Sequence, residues 1–124
     1  MLEFPSPMNA LLLLVLLAAP AVLAQPAAEA VAVEVAFKSG RLAEHFKKHG
    51  PEMGYRSAEE YLLGARRLLG RKGTLQKERA DGERLFYDPR SNEFAVLAKD
   101  GRTLRTFFKP NGGRRYWDRQ ARGP

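Results

Sequence analysis

Apolar side chains between residues 40 and 70 recur with the period of an α-helix, in two separate stretches. In the first, about residues 40–49, four side chains share one face at the spacing i, i+3, i+4, i+7: Leu42, His45, Phe46 and His49. Gly50 and Pro51 follow directly. They predict the end of this helix, because glycine suits the left-handed position after a helix and proline cannot continue one.

The second helix is predicted to begin after Ser57. The segment from Ser57 to Glu60 is a capping box, in which the serine hydroxyl accepts a hydrogen bond from a backbone N–H and the glutamate reaches back to another. Gly70 ends the pattern. Between these limits runs a stripe of side chains that we expect to be buried: Ala58, Tyr61, Leu62, Ala65, Leu68 and Leu69.

Beyond Gly70 the period changes to two, which is typical of half-buried strands. Turn residues such as Asp81-Gly82 and Asp100-Gly101 separate the alternating runs, and such short connections predict an antiparallel meander. An earlier segment, Val31 to Phe37, fits either a short strand or extended chain. The alternating runs are residues 74–79, 83–88, 92–98 and 102–109.

These elements predict one α+β domain over residues 38–124, with two N-terminal helices packed on a four-stranded antiparallel sheet. One helical layer on one sheet face is the economical way to bury both apolar surfaces, and it leaves the other face free to bind a partner. Residues 25–37, which begin with small residues, are expected to form a linker.

An uncharged apolar stretch, Met8 to Gln25, precedes the linker. It is short for a membrane span, and it ends in the small-x-small pattern that suits signal peptidase. We expect residues 1–24 to be a signal peptide cleaved after Ala24. The product would be secreted or periplasmic, without stable membrane insertion. An uncleaved N-terminal anchor and a translation start at Met8 are the alternatives.

The composition is strongly basic, with 21 Lys+Arg against 14 Asp+Glu and a net charge of +7. Such a protein attracts a polyanion, which can be nucleic acid, an anionic membrane surface or an acidic protein. The chain has no cysteine and only two histidines, which argues against disulfides and a zinc site. The clustered carboxylates of a metal-dependent nuclease are also not visible, so we expect no metal or other cofactor.

Both histidines lie in one short segment, HFKKHG. His45 is on the apolar face and is expected to be a packed residue with satisfied nitrogens. His49 is the last helical residue, where the helix dipole favours a protonated imidazole while Lys47 and Lys48 oppose it. The sequence leaves this balance open. A histidine that titrates near neutral pH can serve as a general base.

A titrating histidine beside lysines on a basic surface suits cleavage of RNA without a metal. A base removes the proton of a ribose 2′-OH, the oxygen attacks the adjacent phosphorus, and cations stabilise the charge that grows on the phosphoryl oxygens. Two other classes remain open. One is a non-catalytic polyanion binder of the cell envelope, and the other is a basic module that binds an acidic protein.

Three segments carry a resemblance to a known family: FKKHGPEMG (residues 46–54), FYDPRSNEFAVLAKDG (86–101) and TFFKP (106–110). In pattern and order they resemble the C-terminal nuclease domain of colicin D and the related tRNA-cleaving domains of contact-dependent bacterial toxins, in the barnase–EndoU–colicin–RelE-like group. The resemblance implies a toxin that cleaves tRNA in the anticodon loop without a metal. It also implies a dedicated immunity protein.

The resemblance further implies that Lys48 stabilises the phosphate and that His49 is catalytic. They match the lysine and histidine of a run that ends a helix in that family. A further family lysine, two positions before this pair, falls on Phe46, and Lys47 is the candidate substitute.

The last predicted strand supplies the second part of the resemblance. Thr106, Phe108 and Lys109 match a small hydroxyl residue, an aromatic residue and a basic residue, with threonine in place of serine and phenylalanine in place of tryptophan. Alternation puts Thr106 and Phe108 on one side with Leu104, where Phe108 can stack on a splayed base. The alternative is that Phe107 and Phe108 are both core and Thr106 is inert.

Further substrate-binding residues are expected at Arg79 and Arg84, which flank a predicted hairpin and can line the open face of the sheet. Together with Lys47, Lys48 and Lys109 they predict a positively charged surface. This surface would steer a small acidic immunity protein onto His49 in competition with RNA. The domain itself is expected to be a monomer.

Overall fold

The computed structural model describes residues 35–123, which form five strands and three α-helices. The predicted signal peptide and most of the predicted linker lie outside the described residues. Within residues 35–123, no helix combines the length and apolar character needed to cross a membrane. The elements are β1 (Ala36–Phe37), α1 (Arg41–His49), a 3-10 turn (Pro51–Met53), α2 (Ala58–Gly70), β2 (Leu75–Glu78), β3 (Arg84–Asp88), β4 (Glu93–Leu97), β5 (Thr103–Phe108) and α3 (Arg114–Arg122).

The five strands form one mixed sheet in the order β1-β5-β4-β3-β2. Strands β2 to β5 are antiparallel neighbours, whereas β1 pairs in parallel with β5 through Ala36 opposite Thr103. The predicted fold class, two N-terminal helices on a four-stranded antiparallel sheet, is therefore wrong. The sheet has a fifth, parallel strand, β1 precedes the helices, and α3 follows β5.

The two missed elements have weak local patterns. Strand β1 has only two residues, and its partners come from the last strand of the chain, so no alternation within the segment reveals the pairing. Helix α3 follows two glycines, is rich in arginine, and buries only Trp117. A helix that contributes one buried side chain lacks the apolar stripe from which helices are predicted.

Helix α2 begins as its capping box predicts. The hydroxyl of Ser57 accepts a hydrogen bond from the backbone N–H of Glu60 at 3.1 Å. The Glu60 carboxylate accepts one from the backbone N–H of Arg56 at 2.9 Å, one residue earlier than in the standard box. The side chains buried by α2 include Tyr61, whose hydroxyl donates to the backbone oxygen of Phe107 and so ties the helix to β5.

Helix α1 ends at His49, as predicted, but Gly50 is not left-handed. It has φ −59° and ψ −52°, and its N–H donates to the backbone oxygen of Phe46 at 2.7 Å. The left-handed glycine is Gly54, which closes the 3-10 turn with φ 89°. Close packing explains Gly50 instead, because a Cβ there would lie 2.1 Å from a ring carbon of Phe46.

The sheet is packed on both faces. Helix α3 lies against the second face, where Trp117 stacks on Tyr87 with ring centroids 6.0 Å apart, next to Leu85, Phe94 and Val96. The expectation that this whole face is open is therefore wrong. Helices α1 and α2 cover the first face, and the buried core there comprises Val35, Phe37, Tyr61, Ala65, Leu68, Phe86, Ala95, Leu97, Leu104 and Phe107.

A bulge in β5 changes which side chains share a face. Thr106 pairs with Val96 and Leu104 pairs with Leu97, so one strand has an extra residue between these pairs. As a result Leu104 and Phe107 both belong to the first core, and Phe108 belongs to the second. The simple alternation that grouped Leu104 with Phe108 is wrong, because it assumes an unbroken period of two.

A buried polar network connects α2 to the turn between β3 and β4. The Arg71 guanidinium, at the end of α2, lies 2.9 Å from the Asp88 carboxylate and 2.8 Å from the Glu93 carboxylate. Tyr55 donates a hydrogen bond to the second oxygen of Glu93 at 2.8 Å. Burial and this bond to Glu93 raise the pKa of Tyr55 to about 12, so its hydroxyl stays a donor at neutral pH.

Candidate active site

Helix α1 runs beside β5, and its two histidines follow the strand. The His45 ring stacks on Phe37 of β1 with centroids 4.7 Å apart. One turn later, the His49 ring stacks on Phe108 at the end of β5, with centroids 5.3 Å apart and planes tilted by 28°. The two imidazoles are themselves 6.5 Å apart. The structure thus joins the two segments that the sequence singled out, the end of α1 and the end of β5.

Phe108 connects this pair to the C-terminal helix. Its ring lies 5.6 Å from Tyr116 of α3 and 5.5 Å from Phe94. The Arg119 guanidinium sits 5.9 Å from the centre of the Tyr116 ring. His49, Phe108 and Tyr116 are all half-buried, so each ring keeps a part accessible to solvent. We refer to these three residues as the aromatic row.

Sequence reasoning missed Tyr116 as a member of this site. The signal that could have found it is compositional, because Tyr116 and Trp117 are the only large apolar residues of the basic C-terminal segment. Such a pair in a polar segment indicates that the segment packs on something. Which surface receives Tyr116 depends on the position of α3 over the sheet.

The environment of His49 favours its neutral form. Burial lowers its pKa below the ordinary value of 6.5, Lys48 lowers it further, and Glu52 acts in the opposite direction. Burial also lowers the pKa of His45, as do the neighbouring His49 and Arg41. Partial desolvation and like charge thus outweigh the helix dipole, which favours the imidazolium. A neutral His49 at pH 7 is able to accept a proton.

Cations flank the aromatic row on two elements. Lys47 and Lys48 are exposed on the last turn of α1, and Lys109 is exposed immediately after Phe108. Thr106 is half-buried and pairs with Val96, so it lies on the same face of the sheet as Phe108. Positive charge is therefore available around a neutral imidazole. This combination is suited to a reaction in which negative charge develops on phosphoryl oxygens.

Arg79 and Arg84 lie near the other end of the sheet. The strand register aligns Arg84 with Leu104 at the start of β5, whereas His49 contacts Phe108 at its end. Alternation along β3 also puts Arg84 on the face that α1 and α2 cover. Arg79 is held by an ion pair within the hairpin and by a hydrogen bond to α3. The structure does not bring these two arginines to His49.

His45 is packed as expected, but its nitrogens are not both satisfied. Its Nδ1 atom is buried and has no hydrogen-bond partner among residues 35–123. Within the same part of the chain, no group of three His, Cys, Asp or Glu side chains is placed to hold a metal ion. The chemistry of the site is therefore that of imidazole, ammonium, hydroxyl and aromatic groups.

No protein-family model and no curated protein matches the chain. Among solved structures, the chain is similar to a ribonuclease from Escherichia coli complexed with its inhibitor protein. The similarity has a TM-score of 0.45 at 19% sequence identity, and it covers 62% of this chain and 95% of that chain. With a TM-score below 0.5 it supports no assignment of function, which must come from the site itself.

Proposed function

We propose that this protein is an endoribonuclease that cleaves RNA without a metal and uses His49 as its general base. The observation that carries the proposal is the His49 imidazole. It is half-buried, has a lowered pKa, is stacked on Phe108 and lies beside exposed lysines. A base for RNA cleavage must be neutral near pH 7 and must lie where the phosphate is stabilised by cations.

In the proposed reaction His49 takes the proton of a ribose 2′-OH. The 2′-oxygen then forms a bond to the adjacent phosphorus, and the bond to the 5′-oxygen of the next nucleotide breaks. That oxygen takes up a proton from solvent and leaves as a hydroxyl, while the other product carries a 2′,3′-cyclic phosphate. Lys48 and Lys109 are positioned on the two flanking elements to stabilise the charge on the phosphoryl oxygens.

The aromatic row supports a single-stranded substrate. A base that is splayed out of a loop can stack on the accessible part of Phe108, whereas a base within a duplex cannot reach it. Thr106, on the same face, can donate a hydrogen bond to the substrate. The anticodon loop of tRNA, which the sequence resemblance implies, is the finer proposal, because its bases are unpaired.

A toxin role and a dedicated inhibitor belong to the same proposal. An active ribonuclease endangers the cell that makes it before any export. The exposed Lys47, Lys48 and Lys109 around His49 offer the charge that an acidic protein would bind by imitating phosphates. We propose a small acidic inhibitor that covers His49, and export of the ribonuclease through its N-terminal signal.

The products of cleavage test the proposed chemistry. We expect the purified protein to cleave total tRNA in the presence of EDTA and to leave 2′,3′-cyclic phosphate and 5′-hydroxyl ends, because the 2′-oxygen is the nucleophile. Mapping the ends by sequencing, with and without enzymatic removal of the cyclic phosphate, identifies both the sites and the chemistry. Products with 5′-phosphate and 3′-hydroxyl ends would contradict a 2′-OH mechanism.

The pH dependence tests the role of Lys48. Activity should rise with pH through the pKa of His49, below 6.5, because the neutral imidazole is the active form. Lys48→Ala removes the positive charge that helps to lower this pKa, so the midpoint of kcat/KM against pH should move up toward 6.5. Lys48→Arg keeps the charge and is the matched control. Identical midpoints in all three proteins would show that Lys48 does not act on His49.

A non-catalytic polyanion binder is the second candidate, and helix α3 favours it. Arg114, Arg115, Arg119 and Arg122 of this helix are all exposed, which suits non-specific contact with phosphates. Binding without cleavage would leave tRNA intact at protein concentrations that saturate it. His49→Ala would then change neither product nor affinity, whereas the ribonuclease proposal requires a loss of product.

A further inference from the structure

A cavity of about 230 Å³ lies at the start of β5, away from the aromatic row. Three parts of the chain enclose it: the segment before α1, the first turns of α1, and the beginning of β5. The residues that line it are Lys38, Arg41, His45, Thr103, Leu104 and Arg105.

The lining of this cavity is cationic. It includes three basic side chains and no carboxylate. The nearest acidic partners lie outside it: Glu44 pairs with Arg41 at 2.9 Å, and Glu83 pairs with Arg105 at 3.1 Å. Both arginines are more than half exposed, at 62% and 61%. Exposed ion pairs of this kind contribute little, so the guanidinium groups can rearrange toward a stronger anion.

Two further polar groups belong to the cavity. The Nδ1 atom of His45 is buried and has no partner among the described residues. The Thr103 hydroxyl donates to Asp100 at 2.7 Å, so its oxygen remains able to accept. A buried ring nitrogen without a partner costs free energy, which a bound group with a hydrogen-bonding oxygen would relieve.

We propose that this cavity binds a second phosphate of the RNA backbone, next to the phosphate that is cleaved at His49. The inference rests on the proposed function for the identity of the polymer, and on the cavity for the phosphate. His45 and His49 are one helical turn apart with rings 6.5 Å apart, so α1 would follow the backbone from one phosphate to the next. Arginine and lysine side chains recognise phosphate through charge-assisted hydrogen bonds.

The test uses short RNAs that cannot be cleaved because they carry 2′-O-methyl groups. Binding of a dinucleotide with one phosphate is compared with that of the same dinucleotide with an extra 5′- or 3′-phosphate. In the unmodified protein one of the two additions should strengthen binding roughly tenfold or more, as expected for hydrogen bonds to a charged group. The double variant Lys38→Ala with Arg41→Ala should lose that gain.

The matched control removes two positive charges elsewhere, through Arg56→Ala with Lys77→Ala, both of which are exposed. It should keep the gain from the extra phosphate. The salt dependence of binding to the longer ligand should flatten by about 0.7 in the cavity variant, the contribution of one phosphate on a single strand. Equal losses in both double variants, with unchanged melting temperatures, would overturn the proposal, since only general charge would then matter. No gain from either phosphate in the unmodified protein would also overturn it.

A spectroscopic measurement gives a second readout. The chain has only two histidines, so NMR resonances of both imidazoles can be followed during addition of inorganic phosphate. The resonances of His45 should move at lower phosphate concentration than those of His49, and Arg41→Gln should abolish the difference. Equal responses of the two rings would overturn the proposal. None of these readouts uses cleavage, so a protein that binds the extra phosphate yet leaves RNA intact would refute the proposed function alone.

Discussion

Replacing His49 with alanine is expected to reduce RNA cleavage by roughly two to four orders of magnitude, the usual contribution of a general base. The imidazole is half-buried and only its stacking on Phe108 is lost, so the variant should remain folded. RNA affinity should change little, because the cations that hold the backbone are untouched. Single-turnover cleavage of labelled tRNA, with affinity measured separately, checks this expectation.

His45→Gln is the matched control for that experiment. It removes the other histidine of the same helix and leaves His49 in place, so the chemical step at saturating RNA should persist while affinity falls. In a bacterial cytoplasm, the protein without residues 1–24 should arrest growth, and His49→Ala should relieve the arrest. If His45→Gln abolished the chemical step and His49→Ala did not, the base would be His45. Healthy growth with intact tRNA, at good levels of folded protein, would contradict the toxin proposal.

Replacing Arg71 with methionine is expected to lower the free energy of unfolding by about 3–5 kcal/mol, the usual cost of breaking a buried ion pair by removing one partner. Arg71 is the side chain that binds both Asp88 and Glu93, whose side chains are only 2% and 8% exposed. Asp88 keeps its bonds from Arg90, but Glu93 would keep only the neutral donors Tyr55 and Ser91. Urea denaturation at pH 7 measures the change.

Arg67→Met is the matched control, because Arg67 is an exposed residue of the same helix. Its effect should stay within about 0.5 kcal/mol. A loss of less than about 1 kcal/mol for Arg71→Met would contradict the view that the network depends on this guanidinium.

The pH dependence of the same variant gives an independent check. In the unmodified protein, burial opposes ionisation of Glu93, but hydrogen bonds from Arg71, Tyr55 and Ser91 outweigh it and lower its pKa. The stabilisation is therefore present above the unfolded pKa, near 4.5, and is lost as the pH falls through the lower folded value. Without Arg71, burial should raise the pKa of Glu93. Acidification through that raised value should then stabilise the variant relative to neutral pH.

The sequence by itself determined the elements whose signals are local. The capping box at Ser57 and Glu60, the ends of α1 and α2, and the four alternating runs after Gly70 correspond to helices and strands of the structure. Each of these signals depends on side chains within a few residues of one another. The sequence also identified the two segments that meet, because His49 follows lysines at a helix end and Phe108 lies in the last run.

Only the tertiary structure decided the features that depend on distant contacts. The parallel pairing of β1 with β5 joins Ala36 to Thr103, and no local period encodes it. The bulge in β5 depends on the register with β4 and decides that Phe107 enters one core and Phe108 the other. Packing of α3 brings Tyr116 to Phe108.

The protonation state of His49 is the functional outcome of these contacts. From sequence, the helix dipole and the two lysines act in opposite directions on the imidazole and their balance stays open. In the folded chain, contact with Phe108 removes part of the imidazole from water, and desolvation together with Lys48 lowers its pKa. Desolvation is a property of the assembled surface, because a free helix would leave the ring fully hydrated. The residues of the site can therefore be named from sequence, whereas their faces, partners and protonation follow from packing.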